Sequence, residues 1–402
     1  MVWKMLVVVF AATGSAVGGA DGATGAAVGV GMGDGAGIER LGVWCEFLPY
    51  GRVVGELPVL REYGCDLILH VERGSFEDPD FVRLLREAER LGVGVDAWLL
   101  LPYEEHLYVG QASLGAVRGL ALEAADFFER EGLRVRGFVF DCEPSPLLGR
   151  ELFAAVRRGD VRGLARVLRG ELGVEEFWRD VGALNGLAGE LRGRGFAVDG
   201  AANRAFLDAQ VRGNVALEDA LNAPVSGVDW DGVSFITYRY GASQENYVAM
   251  LNRYAGLARR LYGGRAAVDV GLLGDYDGFE ENAVRARLFG GEEVFMRYLR
   301  GMRRVGDLEE AVGVVLGCGV RRVNLYALDG MVSSVAGTEG WLRAARGARA
   351  RSAWGRWTPV RSVQYGVVGA LTEKLFRWFT GGSERSHGKI EWPEARVGAG
   401  ER

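Results

Sequence analysis

Gly137-Phe138-Val139-Phe140-Asp141-Cys142-Glu143-Pro144 is the stretch whose reading decides the fold. An apolar run opens on glycine, closes on two acids and stops at a proline. Such a run suits a strand buried on both faces, as in a parallel sheet covered by helices. Strand side chains alternate, so Asp141 and Glu143 share one face and Cys142 points the other way, toward a helical layer. Working outward, similar runs recur at 42–47, 66–71, 94–101, 197–202, 232–238, 267–272 and 322–327. Between them lie segments of helical period. Phe81, Leu84, Leu85 and Ala88 form one stripe; Leu120, Ala124, Phe127 and Phe128 form a second; Met250, Leu251, Tyr254, Leu257 and Leu261 form a third. Gly92, Gly132, Gly195, Gly264 and Gly319 sit where a helix would end and the chain turn back to a strand. Eight strand–helix units in order predict an α/β fold, a (β/α)8 TIM barrel in a single domain over 41–350. The stretch 147–195 is longer than one barrel helix needs and should hold two or more.

The ends of the chain read differently. Lys4, an apolar run over 5–12 and small residues at 16–20 follow the order of a signal peptide, placed at 1–20. A weaker reading of the same glycines as a dinucleotide-binding turn lacks the G-x-G-x-x-G spacing and a following helix. Residues 21–40 are a Gly/Ala-rich linker. Residues 351–402 form a C-terminal extension, with an amphipathic stripe of Tyr365, Val368, Leu375 and Phe379. The expected location is secreted or at the cell surface. A formal net charge of -5 argues against nucleic acid as a partner. Beyond the targeting segment there is no strong membrane signal. Only three histidines and four cysteines are present, with no C-x-x-C pair, so no metal site is expected. Cysteine spacing leaves one or two disulfides open. No cofactor motif is visible.

Barrel enzymes carry their reacting groups at the C-terminal ends of the strands. The polar residues there are Glu46, Glu72, Asp141 with Glu143, Asn203, Tyr238 with Arg239, Asp275 and Asp329. A mouth crowded with acids suits glycoside hydrolysis, which needs a carboxylic acid to protonate the leaving oxygen and a negative group to steady the sugar carbon. Two carboxylates on one strand face repel, and the repulsion keeps a proton on one of them near neutral pH. Glu46 and Glu72 are candidates for a protein nucleophile across the barrel, or simply rim charges. His70 shares a face with Glu72 and is read as a structural side chain before a ligand. Trp44, Trp98, Trp230, Tyr238 and Tyr326 offer aromatic faces to a sugar or to the core.

The fourth strand resembles the D-G-x-D-x-D-x-E signature of family 18 glycoside hydrolases, the chitinase and endo-N-acetylglucosaminidase group. In that register Arg136-Gly137-Phe138-Val139-Phe140-Asp141-Cys142-Glu143 keeps the last Asp and the Glu, with Arg136 and Val139 in place of the first two acids. Tyr238 matches the Tyr of the family's sixth-strand M-x-Y-D, followed here by Arg239. Tyr326 stands where the eighth strand of the family carries Trp, and the third strand ends Trp98-Leu99-Leu100-Leu101-Pro102 without the family's small residues.

The resemblance implies a chemistry. Glu143 would be the general acid and then the base, Asp141 the residue orienting the substrate's own N-acetyl group, and Tyr238 a contact to that group. Tyr326 would stack on sugar. Arg239, Glu46, Glu72, Trp98 and Asn324 are further substrate-contact candidates, and Arg239 suits an anionic sugar or an ion pair with Asp141. The expectation is a glycosidase acting on an oligo- or polysaccharide. Two alternatives stay open: a carbohydrate-binding barrel that has lost the chemistry, and a metal-dependent phosphodiesterase using Glu46, Glu72 and Asp141.

Overall fold

The alternation that sorts Asp141 from Cys142 runs through every strand, and it sorts the whole chain into an inside and an outside. The computed structural model describes residues 37–239, 243–274 and 301–352. The expected signal peptide, most of the linker, Asp275 and nearly all of the C-terminal extension lie outside the described residues.

Eight strands pair in parallel, each with the next in sequence, and close into a barrel. They are β1 (Arg40–Cys45), β2 (Cys65–Val71), β3 (Val95–Leu99), β4 (Gly137–Cys142), β5 (Ala197–Asn203), β6 (Gly232–Tyr238), β7 (Ala266–Gly271) and β8 (Arg322–Tyr326). Closure is made by β1, where Leu41 pairs with Cys65 on one side and Val323 on the other. The outward set, including Leu67, Leu69, Phe138, Phe140, Val268 and Val270, is buried beneath helices. The inward set, including Trp44, Ile68, Trp98, Val139, Ile236 and Tyr326, packs on itself inside the barrel. Trp230, read as a strand-end aromatic, belongs to the outer layer: it packs near Phe140 and donates its indole N–H to the Val225 carbonyl at 3.0 Å.

The helical layer begins with α1 (Tyr50–Glu62), α2 (Pro79–Leu91) and α3 (Leu114–Glu131). Asp78 starts α2 by accepting from the Asp80 N–H at 2.8 Å, with Pro79 pre-set for the first turn. Phe81, Leu84, Leu85 and Ala88 are all buried, as their spacing predicts. Each of the larger three contributes roughly 2 kcal/mol by leaving water. Gly92 ends the helix in the left-handed region at φ 71°, and Gly132 ends α3 the same way at 61°.

The long stretch after β4 holds three helices, α4 (Pro146–Arg158), α5 (Val161–Gly170) and α6 (Val174–Gly193). Two short helices follow β5, α7 (Ala205–Gln210) and α8 (Ala216–Ala220). Then come α9 (Gln244–Tyr262), α10 (Val305–Gly317), α11 (Leu328–Ser333) and α12 (Gly337–Gly347). The glycine that turns the chain after α9 is Gly263, at φ 59°, and not Gly264; a short 3₁₀ turn delays the strand by a residue or two.

The N-terminal end of the barrel is closed by charge. Arg40 reaches Asp66 at 3.3 Å, Asp199 at 3.0 Å and also Asp96. Arg136 binds Asp96 through Nε at 2.9 Å and also bonds Asp66, while Arg322 meets Asp199 at 2.7 Å. Three arginines thus neutralise three aspartates on inward strand positions. Arg136, at the first acid of the family-18 register, therefore serves the floor of the barrel. All four cysteines are thiols. No helix among the described residues is long and apolar enough to cross a membrane.

Candidate active site

At the other end of the barrel the inward positions turn acidic. Asp141 is the second-last residue of β4 and is almost wholly buried. Its main-chain carbonyl accepts from the Val109 N–H at 2.8 Å, which ties the loop after β3 across the mouth. Trp98 turns its indole N–H toward Asp141, close enough to lower its proton affinity but outside normal hydrogen-bond geometry. Asp141 Oδ1 and Trp98 Nε1 are therefore buried without a hydrogen-bonded partner. Burial pushes the Asp141 carboxyl well above the usual carboxylate range, and the nearby Glu143 and Asp269 push it further.

Glu143 follows on the same face, partly buried at the mouth. Burial raises its carboxyl to about 7; the Asn203 amide hydrogen-bonded to it and the Arg204 guanidinium pull it down, and Asp269 pushes it up. Asn203 Oδ1 already accepts from the Ala205 N–H at 3.0 Å, which leaves its amide N–H groups for Glu143. The site so holds two carboxyls that both keep their protons to higher pH than ordinary acids do.

Asp269 is the acid the sequence reading missed. It sits inside β7 in the run Ala267-Val268-Asp269-Val270-Gly271, fully buried. Ser234 donates to it at 3.0 Å and Asn324 at 2.8 Å, and its carboxyl is raised to about 6, chiefly by burial. The signal was available: an acid at an inward position of an otherwise apolar strand. The strand-end rule does not reach it, because Asp269 lies two residues before the end of β7.

The remaining candidates divide. Tyr238 and Tyr326 come together as a stacked pair, ring centroids 4.4 Å apart and planes 25° from parallel. Tyr326 donates its hydroxyl to Glu46, which is buried on the barrel's inner side. Trp98 and Trp44 meet edge to face at 5.0 Å beneath them. Asn324 faces inward and donates its amide N–H to Asp269 at 2.8 Å.

Glu72 stands at the end of β2, where the strand-end rule puts it. It is exposed, and with Ser75 it caps the 3₁₀ turn after β2. His70 is buried with Nδ1 on the Glu46 carbonyl at 3.1 Å, a structural role. Arg239 reaches Asp307 at 2.9 Å and Gln244 at 3.2 Å, so the ion pair expected with Asp141 is made with α10. Asp329 binds three backbone N–H groups, at Glu46, Phe47 and Leu48. Among the described residues no three His, Cys, Asp or Glu side chains come together as a metal site, and Glu46, Glu72 and Asp141 do not assemble into one.

No protein-family profile matches the chain. No curated protein matches it in sequence. Solved structures of similar outline include the glycoside hydrolase domain of PgaB (BpsB) from Bordetella bronchiseptica, at 11% identity and a TM-score of 0.44, covering 76% of this chain and 98% of that one. The spore cortex-lytic enzyme SleL of Bacillus megaterium QM B1551 is similar at 11% identity and 0.45, covering 76% of this chain and 73% of that one. Catalytic domain 2 of the Group II chitinase of Ostrinia furnacalis gives 11% and 0.44, covering 76% and 95%. Likeness at this level carries no function across; that has to come from the side chains at the mouth.

Proposed function

We propose that this protein is a glycosidase in which Glu143 is the general acid and base and Asp141 the carboxyl that steadies the sugar. The observation that carries the reading is the pair itself: two acids on one strand face at the C-terminal end of a closed barrel, Asp141 buried and Glu143 partly buried with its carboxyl raised to about 7. A carboxyl of that kind gives its proton to a glycosidic oxygen as the bond to the sugar carbon breaks.

The finer reading follows family 18 in mechanism. The acetamide oxygen of an N-acetylated sugar attacks the anomeric carbon while Glu143 protonates the departing oxygen. Asp141 holds the acetamide in line and balances its growing positive charge. Glu143, now a carboxylate, takes a proton from water; the water oxygen bonds the anomeric carbon and the acetamide oxygen leaves. Tyr238 and Tyr326 supply an aromatic wall for the sugar's apolar face. The substrate class is an N-acetylated oligo- or polysaccharide, and the N-terminal segment of the sequence supports an exported location.

The test is turnover of fluorogenic β-linked N-acetylglucosaminides and other glycans by wild type and Glu143→Gln. Hydrolysis by wild type, reduced about 10²- to 10⁴-fold in the variant, is expected. Equal activity in the two proteins would end the assignment. Saccharide binding without hydrolysis in both would mean a carbohydrate-binding barrel instead.

A further inference from the structure

We infer that the hairpin of α4 and α5 is a binding surface for an anionic polysaccharide, held by its exposed arginines beside the mouth of the barrel. That the bound glycan is also the substrate rests on the glycosidase reading above; the binding itself does not.

The hairpin is basic within an acidic chain. Residues 146–170 carry six arginines against two acids, while the formal net charge of the whole is -5. The chain uses arginine in place of lysine almost throughout, with three lysines in all. That preference exchanges one cation for another and does not thin out the acids around it.

Its place is the C-terminal end of the barrel. Helix α4 starts at Pro146, just past Glu143, and the helix that covers the barrel after β4 is α6, whose Phe177, Val181 and Leu184 join the main core. Leu148, Leu152, Ala155, Leu164 and Leu168 instead form a separate cluster with Ala220 of α8, the short helix that follows the mouth end of β5. Both feet of the hairpin are fastened. Ser145 Oγ lies 2.9 Å from His106 Nδ1 in the loop after β3. At the other foot the Gly173 N–H donates to Asp219 at 3.1 Å, and the Asn222 amide donates to Glu171 at 3.2 Å.

The apolar side of the hairpin is turned to α8, and the cations lie on the other side. On α5, Leu164 and Leu168 are buried, and Arg162 and Arg166, one turn apart and two residues before each leucine, are exposed on the opposite face. On α4, Arg150 and Arg158 are exposed, and Gly159, at φ 66°, turns the chain so that Arg158 and Arg162 flank the bend. Among the described residues none of these four makes an ion pair, whereas the exposed Arg73, Arg83, Arg118, Arg179 and Arg343 each reach a carboxylate. Asp160 is occupied in capping α5, accepting from the Gly163 N–H at 2.7 Å, which leaves Glu151 as the exposed acid of α4. Arg259 and Arg260 are also without an acid, but they stand in the last turn of α9, toward the floor, where a cation suits the helix end.

Guanidinium groups match carboxylates and other oxyanions in shape and charge. Each exposed pair is weak alone, so the surface suits a polymer that repeats its charge and engages several arginines at once. Helix α4, of 13 residues, is about 20 Å long, enough to meet more than one charged unit. A single glycan strand lying along the hairpin is led to Glu143 at its foot. A broad anionic partner, a duplex or a membrane, would instead meet the negative charge of the rest of the chain.

The experiment is calorimetric binding of the full chain to a hyaluronan oligosaccharide, in which glucuronate alternates with N-acetylglucosamine, and to a neutral chitin oligomer of equal length. Wild type should bind hyaluronan the more tightly, and added salt should weaken that binding and leave the neutral oligomer alone. Replacing Arg150, Arg158, Arg162 and Arg166 together by Gln should cost roughly tenfold in hyaluronan affinity, with the neutral oligomer unchanged. If that variant does not fold, Arg162→Gln with Arg166→Gln serves, with a smaller loss. Arg259→Gln with Arg260→Gln removes charge at the other end and should bind as wild type does. No hyaluronan binding by wild type, an unchanged affinity in the folded hairpin variant or an equal loss in the α9 variant would overturn the inference. So would tighter binding to duplex DNA or to phosphatidylserine vesicles than to hyaluronan. Binding that depends on the hairpin in a protein that hydrolyses nothing keeps the surface and ends the glycosidase reading. Turnover lost in Glu143→Gln, with hyaluronan affinity unmoved in the hairpin variant, does the reverse.

Discussion

Glu143 shows at a single residue what the site costs the fold. An exposed glutamate in the unfolded chain titrates near 4.5, and the folded one near 7. A raised carboxyl stabilises the fold below the unfolded value, and that contribution is lost as pH rises from 4.5 to 7. The charged form therefore weighs against the folded state at pH 8. Glu143→Gln removes the charge and keeps the shape. The variant should therefore melt higher than wild type at pH 8, with the difference gone at pH 4. Calorimetry at the two values checks this, and an equal or lower melting temperature at pH 8 would mean that Glu143 is not buried as a charge. Acting sites are commonly held at the expense of stability in this way.

At the scale of elements, Asp329 decides how two strand ends meet. Its carboxylate, in the first turn of α11, accepts from Phe47 at 2.7 Å, Leu48 at 2.8 Å and Glu46 at 3.1 Å. It fastens the chain leaving β1 to the chain leaving β8, beside the Glu46–Tyr326 bond. Asp329→Ala strands these donors and should cost about 3 kcal/mol. Asp329→Asn keeps an acceptor for Phe47 and Leu48 and should cost less. Denaturant unfolding of the two variants checks the order; equal stability to wild type would show that the clamp is idle.

Elements were also what the sequence displayed most clearly. All eight strands lie on the short apolar runs, and seven of those runs end in polar residues, because a strand covered on both faces must be apolar until it emerges. Helix α3 buries all four residues of its stripe, together with Leu114, Val117, Ala121 and Ala125. Side-chain destinations were harder. Arg239 reads as a site cation from its place after Tyr238, yet its partner Asp307 lies on a helix 68 residues away. Glu72 follows the same strand-end rule as Glu46, but a local cap with Ser75 claims it. Trp230 precedes β6 and turns outward, a choice made by the packing of Phe140 and not by local pattern. Asp269 lies within β7, where the strand-end rule does not apply.

The molecule as a whole separates its two ends by charge. At the floor, Arg40, Arg136 and Arg322 balance Asp66, Asp96 and Asp199, and the end is held shut. Toward the mouth stand Asp141 and Glu143, with Asp269 deeper inside β7, and burial raises the proton affinity of all three. Stability at one end and chemistry at the other is the division this barrel architecture favours. The direct measurement is the pH dependence of kcat/KM on a hydrolysed N-acetylglucosaminide. Glu143 must be protonated to act, so activity should fall as pH rises through about 7. A rate that climbs through that range, or a protein that hydrolyses no glycoside, would contradict the assignment of Glu143 as the acid.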